Sequence, residues 1–418
     1  MNKKILLIGL ILILFAGVTT AAVLFIFPYE PDNPPVADDV DSTEQGIEQV
    51  VNANNQFTFD LYSKLGKTEN VFYSPYSISA ALAMTYEGAK GKTAEEMKSV
   101  FHFPENNVLR SNFAAIYNNI NKEDKDYELK TGNALWTQKD YPFLENYITR
   151  VEQYYGGKAA NLDFAEYPEE SRQTINSFIE EQTNNKIKDL IPAGLINKMI
   201  KLVLTNAIYF KGIWQWEFNQ DYTYEEGFRI NSDNIVKVPM MHMNPDYDVK
   251  FNYAETQELR ILELPYKGEE ISMLILLPTE ELETIETSLT ADKLNEYKFL
   301  MEETKLDEIS IPKFEFDTKY FMKNILVELG MPTAFSGVAD FSGMTGTKDL
   351  FIDAVIHQAY IGVDEQGTEA AGATAVIMPE LSIIPHKVFK ANHPFIFIIQ
   401  EKDTGNILFL GRVVNPVE

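Results

Sequence analysis

Five histidines, His102, His242, His357, His386 and His393, are the side chains here best suited to move a proton or hold a metal near neutral pH. None stands in the H-E-x-x-H pattern that sets two ligands on one helix face. No G-x-S-x-G turn presents a serine nucleophile, and no G-x-x-x-x-G-K-[ST] loop cradles a phosphate. The chain has no cysteine, which removes thiolate metal sites, disulfides and a cysteine nucleophile together. These absences point away from an enzyme, and no cofactor is implied. The formal charge of −26 repels nucleic-acid phosphates, so a nucleic-acid partner is not expected.

Another kind of chemistry is written at residues 364–378, Asp-Glu-Gln-Gly-Thr-Glu-Ala-Ala-Gly-Ala-Thr-Ala-Val-Ile-Met. From Gly367 to Ala375 nearly every side chain is small, and none is proline. Read with the two-residue period of a strand, one set is Thr368, Ala370, Gly372 and Thr374, all small and uncharged. The other set is Gly367, Glu369, Ala371 and Ala373, which holds the one charge. Such a segment can serve as a flexible loop. It can also enter the middle of a sheet without a large steric or desolvation cost.

The elements around it read as α+β, helices early and strands late. Ser74-Pro75 opens a helix expected to run through Ile78, Leu82 and Met84 to Lys90, with Gly91 as its stop. Thr93-Ala94-Glu95-Glu96 reads as the capping box of the next. Ile175, Phe178, Ile179, Ile187, Leu190 and Ile191 form a helical stripe. Leu202 to Phe210 is a strand buried on both faces. Ile271–Leu277, Ile309–Phe316, Val355–Val363, Pro394–Ile399 and Ile407–Val413 are further strands.

Ile5 to Phe27 holds no charged residue and would span ~34 Å as a helix, enough for a bilayer core. Lys3 and Lys4 set its N-terminus in the cytoplasm and the remainder outside. Residues 1–27 are therefore expected to be a membrane anchor. A cleaved signal ending near Ala21 or Ala22 and a secreted protein are the alternative. Residues 28–46, with four prolines and six acidic residues, read as an extended linker, and 47–418 as one domain.

The segment from Glu365 to Ala375 resembles the hinge of an inhibitory serpin. Asn70-Val-Phe-Tyr-Ser-Pro-Tyr-Ser-Ile-Ser79, Asn133-Ala-Leu-Trp136, Thr205-Asn-Ala-Ile-Tyr-Phe-Lys-Gly-Ile-Trp214, Ile311-Pro-Lys-Phe314 and Asn392-His-Pro-Phe-Ile-Phe397 resemble other signatures of that family, in its order. The resemblance covers roughly residues 47–418. It implies the serpin fold, with three β-sheets, surrounding helices and an exposed reactive-centre loop, and a monomer. It also implies a suicide substrate. A serine-type endopeptidase cleaves the loop, is acylated, and is trapped when the hinge inserts into the central sheet.

On this resemblance the hinge comprises Glu365, Gly367, Thr368, Ala370, Ala371, Gly372, Ala373 and Thr374. The seventeenth residue counted from Glu365 is Leu381, so the reactive bond is expected at Leu381–Ser382, with Met378 and Glu380 as competing positions. A leucine there suits a protease with an apolar primary pocket. Ser74, Ser77, Asn206 and His357 match the shutter, where the sheet opens. Trp214 and Lys313 match the breach, where insertion begins, and Lys313 and Glu365 match positions able to form a salt bridge. A non-inhibitory serpin, acting as carrier, chaperone or storage protein, is the alternative function.

Overall fold

A computed structural model describes residues 36–417, apart from 67, 123–124, 247 and 369–386. The helices that bear on the site are α1 (Glu44–Tyr62), α2 (Pro75–Tyr86), α3 (Gly91–Val100), α4 (Asn106–Ile120), α5 (Glu145–Tyr155) and α6 (Pro168–Gln182). The strands form three sheets, numbered in chain order. The large sheet holds β2 (Tyr127–Thr131), β3 (Ala134–Gln138), β4 (Lys158–Leu162), β5 (Leu202–Ile213), β13 (Phe314–Phe321), β14 (Ala354–Val363) and β15 (Gly367–Thr368). Its order is β13-β14-β15-β5-β3-β4, with β2 also paired to β5. The buried sheet holds β1 (Val71–Tyr73), β8 (Phe251–Glu255), β9 (Leu259–Pro265), β10 (Ile271–Pro278), β11 (Glu302–Thr304), β17 (Phe395–Glu401) and β18 (Ile407–Val413). Its order is β1-β18-β17-β10-β9-β8-β11. The small sheet runs β16 (Val388–Lys390), β12 (Glu308–Pro312), β7 (Asn234–Met243), β6 (Thr223–Asn231). The expected α+β class and three-sheet arrangement are both present.

The continuous apolar runs of β10, β17 and β18 become strands buried at every residue, covered on both faces. Helix α2 is buried at all its positions and packs on both β18 and β5. Ser74 starts it. Its hydroxyl accepts the Ser77 amide at 3.1 Å, and Pro75 occupies the first turn, where a missing N–H costs nothing.

Four local expectations change. Helix α2 stops at Tyr86. Gly91, at φ +52°, instead begins α3 behind an N-cap at Lys90. The capping box does not form, because Thr93 and Glu96 lie inside that helix and bond to neighbouring segments. The Thr93 hydroxyl accepts the Asp340 amide at 2.9 Å, and Glu96 binds both the amide and the hydroxyl of Thr333.

The stripe assigned to one helix is split. Helix α6 ends at Gln182, and Asn184, Asn185 and Asp189 take positive φ, which asparagine and aspartate tolerate best among side-chain-bearing residues. Ile187, Leu190 and Ile191 are buried from the irregular chain beyond. Ile309–Phe316 divides between the small sheet and the large one, because Pro312 has no N–H with which to continue a ladder.

Part of the stretch expected as linker, residues 36–46, is hydrogen-bonded to the body. The Ala37 amide donates to the Asn118 side chain at 2.8 Å, and Asn118 donates back to the Ala37 carbonyl at 2.8 Å. The Asp38 amide donates to the Gln153 carbonyl, and Thr43 caps α1. Among the described residues no helix is long and apolar enough to cross a membrane; Ile5–Phe27 lies outside them.

Candidate functional site: the slot in the large sheet

Strands β5 and β14 lie side by side and parallel, paired from Val203–Ala354 to Ile208–Ala359. Beyond that point they part. The opening is filled by β15, two residues long and antiparallel to both neighbours. Thr368 pairs with Val363 on one side, and Gly367 and Thr368 pair with Ile213 and Gly212 on the other. Gly367 and Thr368, expected to belong to the hinge, thus form a two-residue strand between β14 and β5.

The turn that reverses the chain is built locally. Asp364 donates its amide to the Gly367 carbonyl at 2.9 Å, and its carboxylate accepts the amides of Gln366 and Gly367. Burial raises the Asp364 pKa, partly offset by those two amide bonds. A Cβ at Gly367 would stand 1.9 Å from the Gly212 carbonyl oxygen, so only glycine fits here.

Trp214 holds the turn from beneath. Its amide donates to the Gln366 carbonyl at 2.8 Å and its indole to the Asp364 carbonyl at 3.0 Å. The ring stacks on Tyr266 with centroids 4.5 Å apart. The Tyr266 hydroxyl shares a 2.6 Å hydrogen bond with that of Thr368, and Thr368 is only 2% exposed.

Glu365 and Lys313 do meet. Lys313 sits where the chain crosses from β12 to β13, and its ammonium donates to Glu365 Oε2 at 2.8 Å. Glu365 Oε1 accepts the Thr223 hydroxyl at 2.7 Å, and its side chain is 4% exposed. Burial alone would raise the Glu365 pKa. The Lys313 and Thr223 bonds outweigh it and hold the carboxyl below the usual glutamate range.

The second cluster lies lower, where β5 and β14 are paired. His357 and Asn206 face each other in register. The Ser74 amide donates to His357 Nε2 at 3.1 Å, so the proton is on Nδ1, which donates to the Asn206 side-chain oxygen Oδ1. The Asn206 amide group donates to Ser77 Oγ at 2.6 Å and to the Asn133 side-chain oxygen. Ser77 donates to that same Asn133 oxygen at 3.0 Å, and Ser74 Oγ to the Leu408 carbonyl at 2.6 Å. The network joins α2, β5, β14 and β18 through buried groups. Burial pushes the His357 pKa down to about 3, so the ring is neutral at pH 7.

The structure brings together Ser74, Ser77, Asn206 and His357 in one cluster and Trp214, Lys313, Glu365, Gly367 and Thr368 in the other. Ala370, Ala371, Gly372, Ala373, Thr374, Leu381 and Ser382 lie outside the described residues. Sequence reasoning missed three participants. Asn133 stood in a quoted motif, as the one amide at the head of an apolar strand. Thr223 and Tyr266 carried no signal, because their roles depend on contacts with residues 142 and 102 positions away.

Residues 52–416 match the family model for Serpin (serine protease inhibitor). A serpin-like protein of Methanosarcina acetivorans is 44% identical over 87% of this chain and 87% of its own length. The leukocyte elastase inhibitor of Bos taurus is 40% identical over 88% of this chain and all of its own. Uncleaved ovalbumin superposes with a TM-score of 0.79 at 31% identity, covering 88% of this chain and 100% of the other. With a family model spanning most of its length, this chain belongs to the serpins, a family of serine protease inhibitors and not of enzymes.

Proposed function

We propose that this serpin is a single-use inhibitor of a serine-type endopeptidase with an apolar primary pocket, and that Leu381–Ser382 is its reactive bond. The protease serine attacks the Leu381 carbonyl carbon. The bond to Ser382 breaks, the Ser382 nitrogen takes up a proton, and Leu381 stays esterified to the enzyme. Before water can hydrolyse the ester, the freed hinge continues the strand that β15 has begun. A 17-residue extended segment reaches ~56 Å, so the acylated protease is carried across the large sheet. Misplacement of catalytic groups by about 1 Å already costs roughly 100-fold in rate.

The observation that carries this reading is the pairing of Gly367 and Thr368 between β14 and β5, with small residues at the alternate positions that follow. Similarity to the leukocyte elastase inhibitors favours an apolar preference. We place the inhibitor outside the cytoplasm, tethered by Ile5–Phe27, on the strength of that uncharged run behind Lys3 and Lys4. Secretion after cleavage near Ala21 or Ala22 is the alternative arrangement.

The test is incubation of the purified protein with chymotrypsin-, elastase- and subtilisin-like enzymes. A covalent adduct that survives boiling detergent, with release of a peptide beginning at Ser382, is expected. Complete cleavage of the loop without an adduct from any of them would sink the inhibitory reading. A released peptide beginning at Pro379 or Leu381 would move the reactive bond to Met378 or Glu380.

A further inference from the structure

His242 is a buried histidine that neither cluster uses. It lies on β7 in the small sheet, and its side chain is 5% exposed. Its Nδ1 is 2.8 Å from Glu308 Oε1 and 3.1 Å from Ser310 Oγ, both on β12. A carboxylate only accepts, so Nδ1 carries the proton and donates to Glu308. Ser310 also donates to Glu308, at 2.9 Å. The other nitrogen, Nε2, has no hydrogen-bond partner although it is buried.

What Nε2 faces is the Glu226 carboxylate of β6, 3.8 Å away. A lone pair held against a carboxylate is an unfavourable arrangement, and a proton on Nε2 turns it into an attraction. The second Glu226 oxygen binds Lys390 of β16 at 2.6 Å. Tyr224, also on β6, stacks on the imidazole with centroids 4.3 Å apart. Facing the ring are thus Glu226 and Tyr224 from β6 and Glu308 and Ser310 from β12, with Lys390 of β16 one carboxylate removed.

We propose that His242 is a proton-operated clamp on β16, the first strand after residues 369–386. With Nε2 protonated, Glu308, His242, Glu226 and Lys390 form a line of alternating charge over all four strands of the small sheet. With Nε2 bare, the line is broken at its centre. β16 buries Phe389 in the core, and backbone bonds at Lys387 and Ala391 flank it. It is an edge strand of three residues, paired on one side only, with Glu308–Ser310 of β12. Lowering the pH therefore fastens the strand to which the distal end of the reactive-centre loop is joined, and raising it loosens that strand. This inference goes beyond the inhibitory reading and does not require it.

The experiment is amide hydrogen exchange on the full chain at pH 5.5 and pH 8.0. Rates for a peptide covering 388–391 are divided by those of an unstructured reference at the same pH. Protection in the wild type should be several-fold greater at pH 5.5 than at pH 8.0. In His242→Gln and in Glu226→Gln the two pH values should give equal protection. Should His242→Gln fail to fold, Glu226→Gln still decides, because it keeps the imidazole and removes what the proton is proposed to meet. A wild-type ratio near one, or a ratio that survives in either variant, overturns the clamp. No protease enters the measurement, so its failure is distinct from failure of the inhibitory reading.

Discussion

Two residue pairs, Lys313–Glu365 and His357–Asn206, join neighbouring segments of the large sheet. Glu365 is almost wholly buried and Lys313 about two-thirds so, which makes this a partly desolvated ion pair and not a surface one. Glu365→Lys sets two ammonium groups against each other at the top of the slot. It should lower stability by roughly 3–5 kcal/mol, the range for breaking a buried pair, and give loop-sheet polymers on mild heating. Adding Lys313→Glu re-forms a pair with its charges exchanged and should restore part of the loss. Melting curves and native gels of the single and double variants decide. If the double variant polymerises as readily as Glu365→Lys alone, the two residues are not coupled. His357 makes a prediction about pH. Its folded pKa of about 3 lies below the ordinary 6.5, so below pH 6.5 the unfolded chain binds the proton more tightly. Its contribution is complete above pH 6.5 and is lost as the pH falls from 6.5 towards 3, at up to about 1.4 kcal/mol per unit. Urea midpoints of wild type and His357→Asn between pH 7.5 and pH 4 should converge as the pH falls. A difference that stays constant over that range would show that the ring is not buried neutral.

At the scale of elements, the segment after α6 lies across the slot as a strap. On one side Asn184 accepts from Lys130 at 3.0 Å and donates to Glu128 at 2.9 Å, both on β2. On the other, Lys319 of β13 donates to the Asp189 carbonyl at 2.9 Å, and Lys186 lies over the Tyr360 ring of β14 at 5.2 Å. The strap thus links strands on both sides of the place where β14 and β5 part. Lys319→Met combined with Asn184→Gly removes polar contacts on both sides while tolerating the positive φ at 184. It should speed the uptake of a synthetic peptide copying residues 368–378 several-fold, followed by native gel shift. An unchanged uptake rate would mean the strap does not limit opening. This element also shows what could be read in advance and what could not. Strands β5, β10, β14, β17 and β18 were legible because each is an apolar run whose burial is written in its own residues. The strap was not, since its isoleucines keep a helical spacing while Asn184, Asn185 and Asp189 turn the backbone out of the helix. The corner at Lys313 was equally hidden. Pro312 announces a break, but not that the chain changes sheets there, because the partner strands lie far away in sequence. The ion pair itself was legible only through the family's motifs.

For the whole molecule, the pairing directions explain why a loop should enter the sheet at all. In the described structure β5 and β14 form a parallel ladder, whereas β15 is antiparallel to both. Extending β15 replaces one parallel ladder by two antiparallel ones, which are the more stable arrangement per residue. It also lets the small alternate residues after Thr368 leave water. If the loop inserts as proposed, the cut chain gains strand pairing at that place. Cutting the loop should release the difference. Insertion of about ten further residues would add roughly ten net hydrogen bonds at about 1 kcal/mol each, so the melting temperature should rise on the order of 10–20 °C. A protease that nicks the loop without being trapped is the reagent for this, and calorimetry before and after cleavage is the measurement. Thr368→Arg supplies the control. Position 368 is buried against the Tyr266 hydroxyl, and an unpaired guanidinium there is strongly unfavourable. The cut variant should show little or none of the rise, and with a target protease it should be consumed as a substrate without forming an adduct. If cut Thr368→Arg gains as much stability as cut wild type, the gain does not come from a strand beginning at β15, and the slot between β14 and β5 is not where the loop goes.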